Sequence, residues 1–294
     1  MADFLQDQAA GLRRLFNPQQ LKVVSFASGT PGVGKTSVVA NVAVALARQG
    51  REVLVVDENT GAAHMGAFFG IHPEGDLLQV LNRKRALEQV MFCPLPGVSV
   101  LPAGMAARQL GRLSAPQQQA MLEGVNALEK PVDVILVDTS PEHDHGFSPW
   151  GLAAGEAVMV VSGSGASITD SYALIKKVSL AFARRHFRIL ANRVRSPEEG
   201  RTIFANLKKV AAQRGIAQLE YGGAVPLDTH LKQLGPLCQP IVATLPDNEA
   251  AIALKNFATA LLAWPRAGFD NGGVEQFFQQ VLHCCHTSPA VLRA

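Results

Sequence analysis

Residues 26–46 read FASGTPGVGKTSVVANVAVAL and satisfy the pattern G-x-x-x-x-G-K-[ST] through Gly29, Gly34, Lys35 and Thr36. A loop of this kind works only where a buried strand runs into it and a helix leaves it, because the helix start presents unpaired N–H groups to an anion. Here an apolar run precedes the loop at 21–28, and helical spacing follows it at 35–49. Gly29, Gly32 and Gly34 permit backbone torsions and a close approach that side chains would block, so successive N–H groups can face phosphate oxygens. Thr30, Val33 and Ser37 complete the cradle, Lys35 is placed to neutralise β- and γ-phosphates, and the Thr36 hydroxyl is placed to hold Mg²⁺. A glycine-rich turn without a ligand would leave Lys35 and Thr36 unexplained.

The rest of the chain repeats the strand-then-helix order. Short apolar runs at 51–58, 98–104, 132–138, 157–163 and 187–193, with a weaker one at 221–225, read as buried parallel strands. Helical spacing at 167–185, 196–214 and 246–263 separates or follows them. The expected fold is a single α/β domain: a doubly wound, mostly parallel sheet with helices on both faces. Helical appendages are expected at each end, so the boundaries are 1–20, 21–266 and 267–294. Asp57 and Asp138 each close an apolar strand, where ligands of open α/β sheets collect, and both are candidates for Mg²⁺, partly through water.

Composition narrows the function classes. The formal net charge of +3 is spread along the chain and argues against direct nucleic-acid binding. Four cysteines without C-x-x-C spacing suit a reducing compartment, so the expected location is cytoplasmic. No apolar run approaches a spanning length, and the first sixteen residues lack a secretory pattern. The segment 273–286 places Val274, Phe277, Phe278, Val281, Leu282 and Cys285 on one helical face. Its polar face carries no Lys or Arg, so lipid contact should be weak or absent, and docking on the core or a partner is an equal expectation. The pair His143/His145 lacks further ligands at metal-binding spacing, and in His283-Cys284-Cys285-His286 adjacent positions point to different helix faces, so a metal is not expected at either place.

The loop, VVDENTG at 55–61 and ILVDTSP at 135–141 resemble the MinD/ParA family of P-loop ATPases. SITDSYALIKKV at 167–178 and FRILANRVRSPEEGRTIFANLKKV at 187–210 narrow the resemblance to the FleN/FlhG branch of flagellar-number regulators. That resemblance implies an ATP- and Mg²⁺-dependent switch, a nucleotide-dependent homodimer, and attachment at the inner face of the cytoplasmic membrane. It also implies a FleQ-type transcription activator and flagellar switch-ring proteins as partners. DQAAGLR at 7–13 matches the branch's activator segment, which implies that Asp7, Gln8, Leu12 and Arg13 dock on an FlhF-type GTPase. A short amphipathic helix packed on the core is the other reading of those residues. By the same resemblance Asn192 reads the adenine edge and Asp228 closes over the base; the alternatives are a strand-end cap and a helix cap.

Two departures bear on activity. The family's first loop lysine, which reaches a partner's phosphates, is Thr30 here. The second aspartate of D-x-D-x-G, which activates water, is Asn59, and an amide cannot take a proton as a carboxylate does. Lys35, Asp57 and Asn59 are therefore the candidate catalytic residues of an enzyme expected to be slow. Glu58 is not expected to replace Asn59, because adjacent strand-end side chains point differently. A catalytically degenerate scaffold that binds flagellar partners without an ATP cycle is the alternative function.

Overall fold

A computed structural model of the chain describes residues 21–61, 64–141, 147–234, 239–264 and 273–286. The expected segment 1–20, with Asp7, Gln8, Leu12 and Arg13, lies outside them, as do His143 and His145.

Eight strands form one sheet: β1 (Lys22–Ala27), β2 (Val53–Asp57), β3 (Phe92–Leu95), β4 (Val98–Pro102), β5 (Val134–Asp138), β6 (Glu156–Ser162), β7 (His186–Val194) and β8 (Gln218–Pro226). Their spatial order is β3-β4-β2-β5-β1-β6-β7-β8, parallel except for the antiparallel β3–β4 pair. The helices that matter for the site and the core are α1 (Lys35–Arg48), α2 (Met65–Phe69), α3 (Ala115–Asn126), α4 (Pro149–Ala153), α5 (Gly165–Phe182), α6 (Pro197–Gln213), α7 (Thr229–Leu234), α8 (Glu249–Ala263) and α9 (Gly273–His286). Among the described residues no helix is long and apolar enough to cross a membrane.

Period-two alternation assigns each strand residue to a face. Val24, Phe26, Val55, Leu136 and Val158 point to one side, where α1 and α8 cover them. Val23, Leu54, Val56, Ile135 and Val137 point to the other, under Trp150 and α9. Further along that second face, Met159, Val161 and Ile189 pack on α5 and α6. Because both faces are covered, the strands read as continuous apolar runs rather than alternating ones. Helix α1 is apolar nearly all round for the same reason, and Val38 through Leu46 are buried. Its one internal amide, Asn41, is paired through both polar atoms: Nδ2 donates to the Ser37 carbonyl at 2.8 Å and Oδ1 accepts from the Val242 N–H at 3.2 Å.

All seven expected strands are present, and β8 is longer than 221–225 suggested. Strand β3 was not foreseen. Pro94 within it and Pro96 just after it mask an apolar run, yet β3 is an edge strand that needs only one ladder. Helix α3 also escaped the periodicity reading. Its signal was the start box Ser114-x-x-Gln117, in which the Gln117 side chain accepts from the Ser114 N–H at 2.9 Å.

Helix α9 turns its apolar face into the protein. Phe277, Phe278 and Val281 are fully buried, and the Trp150 ring meets Phe278 edge-on at 5.0 Å and Phe277 at 5.8 Å. Of the two expectations for this segment, packing on the core is the arrangement observed.

Candidate functional site

The loop joins β1 to α1 at the carboxyl end of the sheet, where β1 lies between β5 and β6 and the chain order switches direction. Gly32 and Gly34 adopt left-handed torsions, with φ of 74° and 90°, that a side chain would strain. Gly29 is required by proximity instead: a Cβ there would stand 2.3 Å from the backbone of Asp170 and Ser171 in α5. The loop is thereby pressed onto α5, and Thr30 reinforces the contact by donating its hydroxyl to Asp170 Oδ2 at 3.0 Å.

Strands β2 and β5 are neighbours in a register that pairs Asp57 with Asp138, which brings two strand-end carboxylates together from 81 positions apart. Asp138 is completely buried and carries three donors: Lys35 Nζ, Thr36 Oγ1 at 2.7 Å and Asn59 Nδ2 at 2.9 Å. Asn59 Nδ2 also donates to Asp57 Oδ1 at 2.8 Å, so this amide bridges the two acids. The other Asp57 oxygen accepts the Met65 N–H of α2 at 2.6 Å. Glu58 faces elsewhere, as expected: its carboxylate accepts the Ser140 N–H at 3.0 Å and the Ser148 hydroxyl.

Burial, and after it the neighbouring Asp138 charge, push the Asp57 pKa from 3.8 up to about 7; the Met65 and Asn59 donors oppose the shift. The folded chain thus retains a proton that the unfolded chain releases above about pH 4. Stability contributed by this group is full below pH 4 and is lost as pH rises toward 7, with a slope of at most about 1.4 kcal/mol per pH unit. Urea midpoints of the nucleotide- and magnesium-free protein should therefore fall between pH 5 and 7.5, and Asp57→Asn should flatten that fall. A slope unchanged by the substitution would mean that Asp57 is ionised throughout.

Two adjoining cavities surround the loop. The first, about 620 Å³, has the Val225, Pro226 and Leu254 side of α8 and β8 on its wall, with Asn192 and Asp228 as polar members. The second, about 420 Å³, is lined by Lys35, Thr36, Asn59, His64 and Pro141 among others. Ser37, Gly34, Phe68 and Arg193 line both. A slot walled by Val225, Pro226 and Leu254, joined to one backed by the glycine loop with Lys35 and Thr36 on its wall, is the shape that a base with a phosphate chain requires. Thr36, Asp57 and Asp138 supply the oxygen donors that a hard divalent cation takes. The residues present fit Mg²⁺ and a nucleotide.

Of the expected base-side residues, Asn192 is buried and donates to the Val33 carbonyl at 2.7 Å, so it props the loop as well as lining the cavity. Asp228 is a helix cap: its Oδ1 accepts the N–H groups of His230 and Leu231 at the start of α7, at 2.6 and 3.1 Å. Its Oδ2 accepts from Asn248, the cap of α8, at 2.9 Å. Its place on the cavity wall is compatible with a second role. Phe68 and Arg193 were not singled out from the sequence, whereas Pro141 belongs to the altered segment that follows Asp138. Only Arg193 left a readable signal there, as a charge at a strand's carboxyl end beside Asn192.

Residues 24–235 match the family described as the CobQ/CobB/MinD/ParA nucleotide binding domain. The antiactivator FleN of Pseudomonas aeruginosa is 30% identical over 280 residues, spanning 95% of this chain and 100% of that protein. The flagellum site-determining protein YlxH of Helicobacter pylori is 27% identical over 271 residues, spanning 90% and 91%. Among solved structures, a chain of the MinC:MinD cell division protein complex of Aquifex aeolicus superposes with a TM-score of 0.65 at 23% identity, covering 85% of this chain and 100% of that one. MinD of Pyrococcus horikoshii, solved with Mg-ADP, gives 0.57 at 22% identity over 82% and 96%. Those two likenesses establish the fold.

Proposed function

The chain belongs to the CobQ/CobB/MinD/ParA nucleotide-binding family, in its FleN/FlhG branch, and on that premise we propose that it is an ATP- and Mg²⁺-binding regulator of flagellar number and placement. The observation that carries this reading is the convergence of Lys35, Thr36, Asp57, Asn59 and Asp138 into one hydrogen-bonded cluster beneath the glycine loop. A loop released from nucleotide binding has no physical need for that set. Near-full-length similarity to an antiactivator and to a site-determining protein supports the flagellar assignment.

In this proposal the loop N–H groups and Lys35 bind the phosphates, and Thr36, Asp57 and Asp138 hold Mg²⁺, which supplies charge neutralisation at the phosphates. Asn59 orients water but takes no proton from it, and its amide hydrogens are held by the two acids, so hydrolysis is slow. The bound state is then long-lived, which suits a switch that acts by homodimerisation and partner binding. The proposed partners are an FlhF-type GTPase through Asp7, Gln8, Leu12 and Arg13, a FleQ-type transcription activator, and flagellar switch-ring proteins. With the apolar face of α9 in the core, a cytoplasmic site of action is favoured over lipid binding through that helix.

The test is equilibrium ATP binding beside single-turnover hydrolysis of Mg-ATP, for the unaltered chain and for Asn59→Asp. Tight binding with slow turnover, accelerated by the substitution, is the expected result. Failure of the unaltered chain to bind ATP would replace this reading with the scaffold one, in which the fold only presents surfaces to flagellar partners.

A further inference from the structure

The loss of a lysine at Thr30 leaves the glycine loop short of one positive charge, and Lys35 is already paired with the buried Asp138. A different cation stands over the loop. Strand β7 slips register against β8 between Asn192 and Val194, and Arg193 is the extra residue, with a left-handed φ of 60°. A bulge re-aims one side chain, and a long charged residue is an uncommon occupant of that conformation. Its effect here is to swing the guanidinium across the glycine loop. Nη1 donates to the Gly32 carbonyl at 2.8 Å, and Nε and Nη2 lie 3.4 and 3.5 Å from where a Gly34 Cβ would stand. The group thus donates to a neutral carbonyl rather than to a carboxylate, which leaves its charge available. Among the described residues it is also the one cationic side chain lining both cavities.

We infer that Arg193 is a nucleotide-binding residue, clamping the inner end of the phosphate chain where the base cavity meets the phosphate cavity. The inference rests on the nucleotide-binding reading above and adds a charged contact to it. A planar guanidinium can keep the Gly32 bond with one nitrogen while presenting others to a phosphate oxygen. The bulge holds it in place before any ligand arrives, which lowers the ordering cost of binding. Because the contact is at the inner phosphates, it serves nucleoside di- and triphosphates alike.

The experiment measures ATP, ADP and adenosine binding to the full chain, at two salt concentrations, for the unaltered protein, Arg193→Asn and Arg193→Lys. Asparagine tolerates the left-handed torsion, so the bulge is preserved while the charge is removed. Expected is a loss of about tenfold or more for both ATP and ADP in Arg193→Asn, with adenosine unchanged and a shallower salt dependence. Arg193→Lys should keep most of the salt dependence. Equal ATP affinity in Arg193→Asn and the unaltered chain would overturn the inference and leave the nucleotide reading standing. Equal losses in the Asn and Lys variants would also overturn it, by showing that the Gly32 bond alone matters. Absence of ATP binding by the unaltered protein would overturn both.

Discussion

Replacing Lys35 by alanine is expected to lower ATP affinity by about two orders of magnitude and, separately, to cost about 3–5 kcal/mol of folding stability. The two losses have different origins. ATP affinity falls because the cradle loses its cation. Stability falls because Lys35 and Asp138 are both buried, with side-chain exposures of 8% and 0%, and removing one partner leaves the other's charge uncompensated. Thr36 and Asn59 still donate to Asp138, but neutral donors replace only part of the attraction. The double variant Lys35→Ala/Asp138→Asn should therefore recover much of the stability while keeping the loss of ATP affinity. Urea denaturation and equilibrium binding on the three proteins separate these effects. If Lys35→Ala binds ATP as the unaltered chain does, the nucleotide switch is wrong. If its stability is unchanged, the buried pair contributes nothing net.

The second large effect lies far from the loop. Phe278→Ala should destabilise the protein by about 3–5 kcal/mol, and Phe277→Ala by a similar amount, because each ring is fully buried and truncation leaves a cavity. Both rings pack on Trp150 of α4, and α9 also meets α3, so the helix completes the core over β2 and β5 rather than decorating it. Ending the chain at Asn271 should expose Trp150 and its apolar neighbours and lower the urea midpoint by more than either point change. Full-stability behaviour of the shortened chain would instead identify α9 as a detachable arm. That result would reopen the membrane-contact reading of its apolar face.

Much of the site was legible because it follows from local rules. A strand running into G-x-x-x-x-G-K-T and then a helix specifies the loop, and terminal acids on two apolar strands nominate Asp57 and Asp138. Asn59 was recognisable as a departure from a family pattern. Its bridging of two carboxylates was not, since that depends on the register of β2 against β5. Asp228 shows the opposite limit: a cap and a residue closing over a base would look the same in the sequence, and only the coordinates identify its partners as the N–H groups of α7 and the Asn248 amide. Arg193 escaped notice because a register slip and a positive φ re-aim it, and neither is written in residue types.

The sequence by itself determined the fold class, the phosphate loop and the two strand-end acids. These depend on periodicity, backbone freedom at glycine and the placement of charge at strand ends, all of which act over a few residues. Tertiary structure alone decided which carboxylate Lys35 holds, where the apolar face of α9 goes, and which cation stands over the loop. Each of those is a choice among partners distant in the chain, settled by strand order and register, and residue spacing carries no record of it.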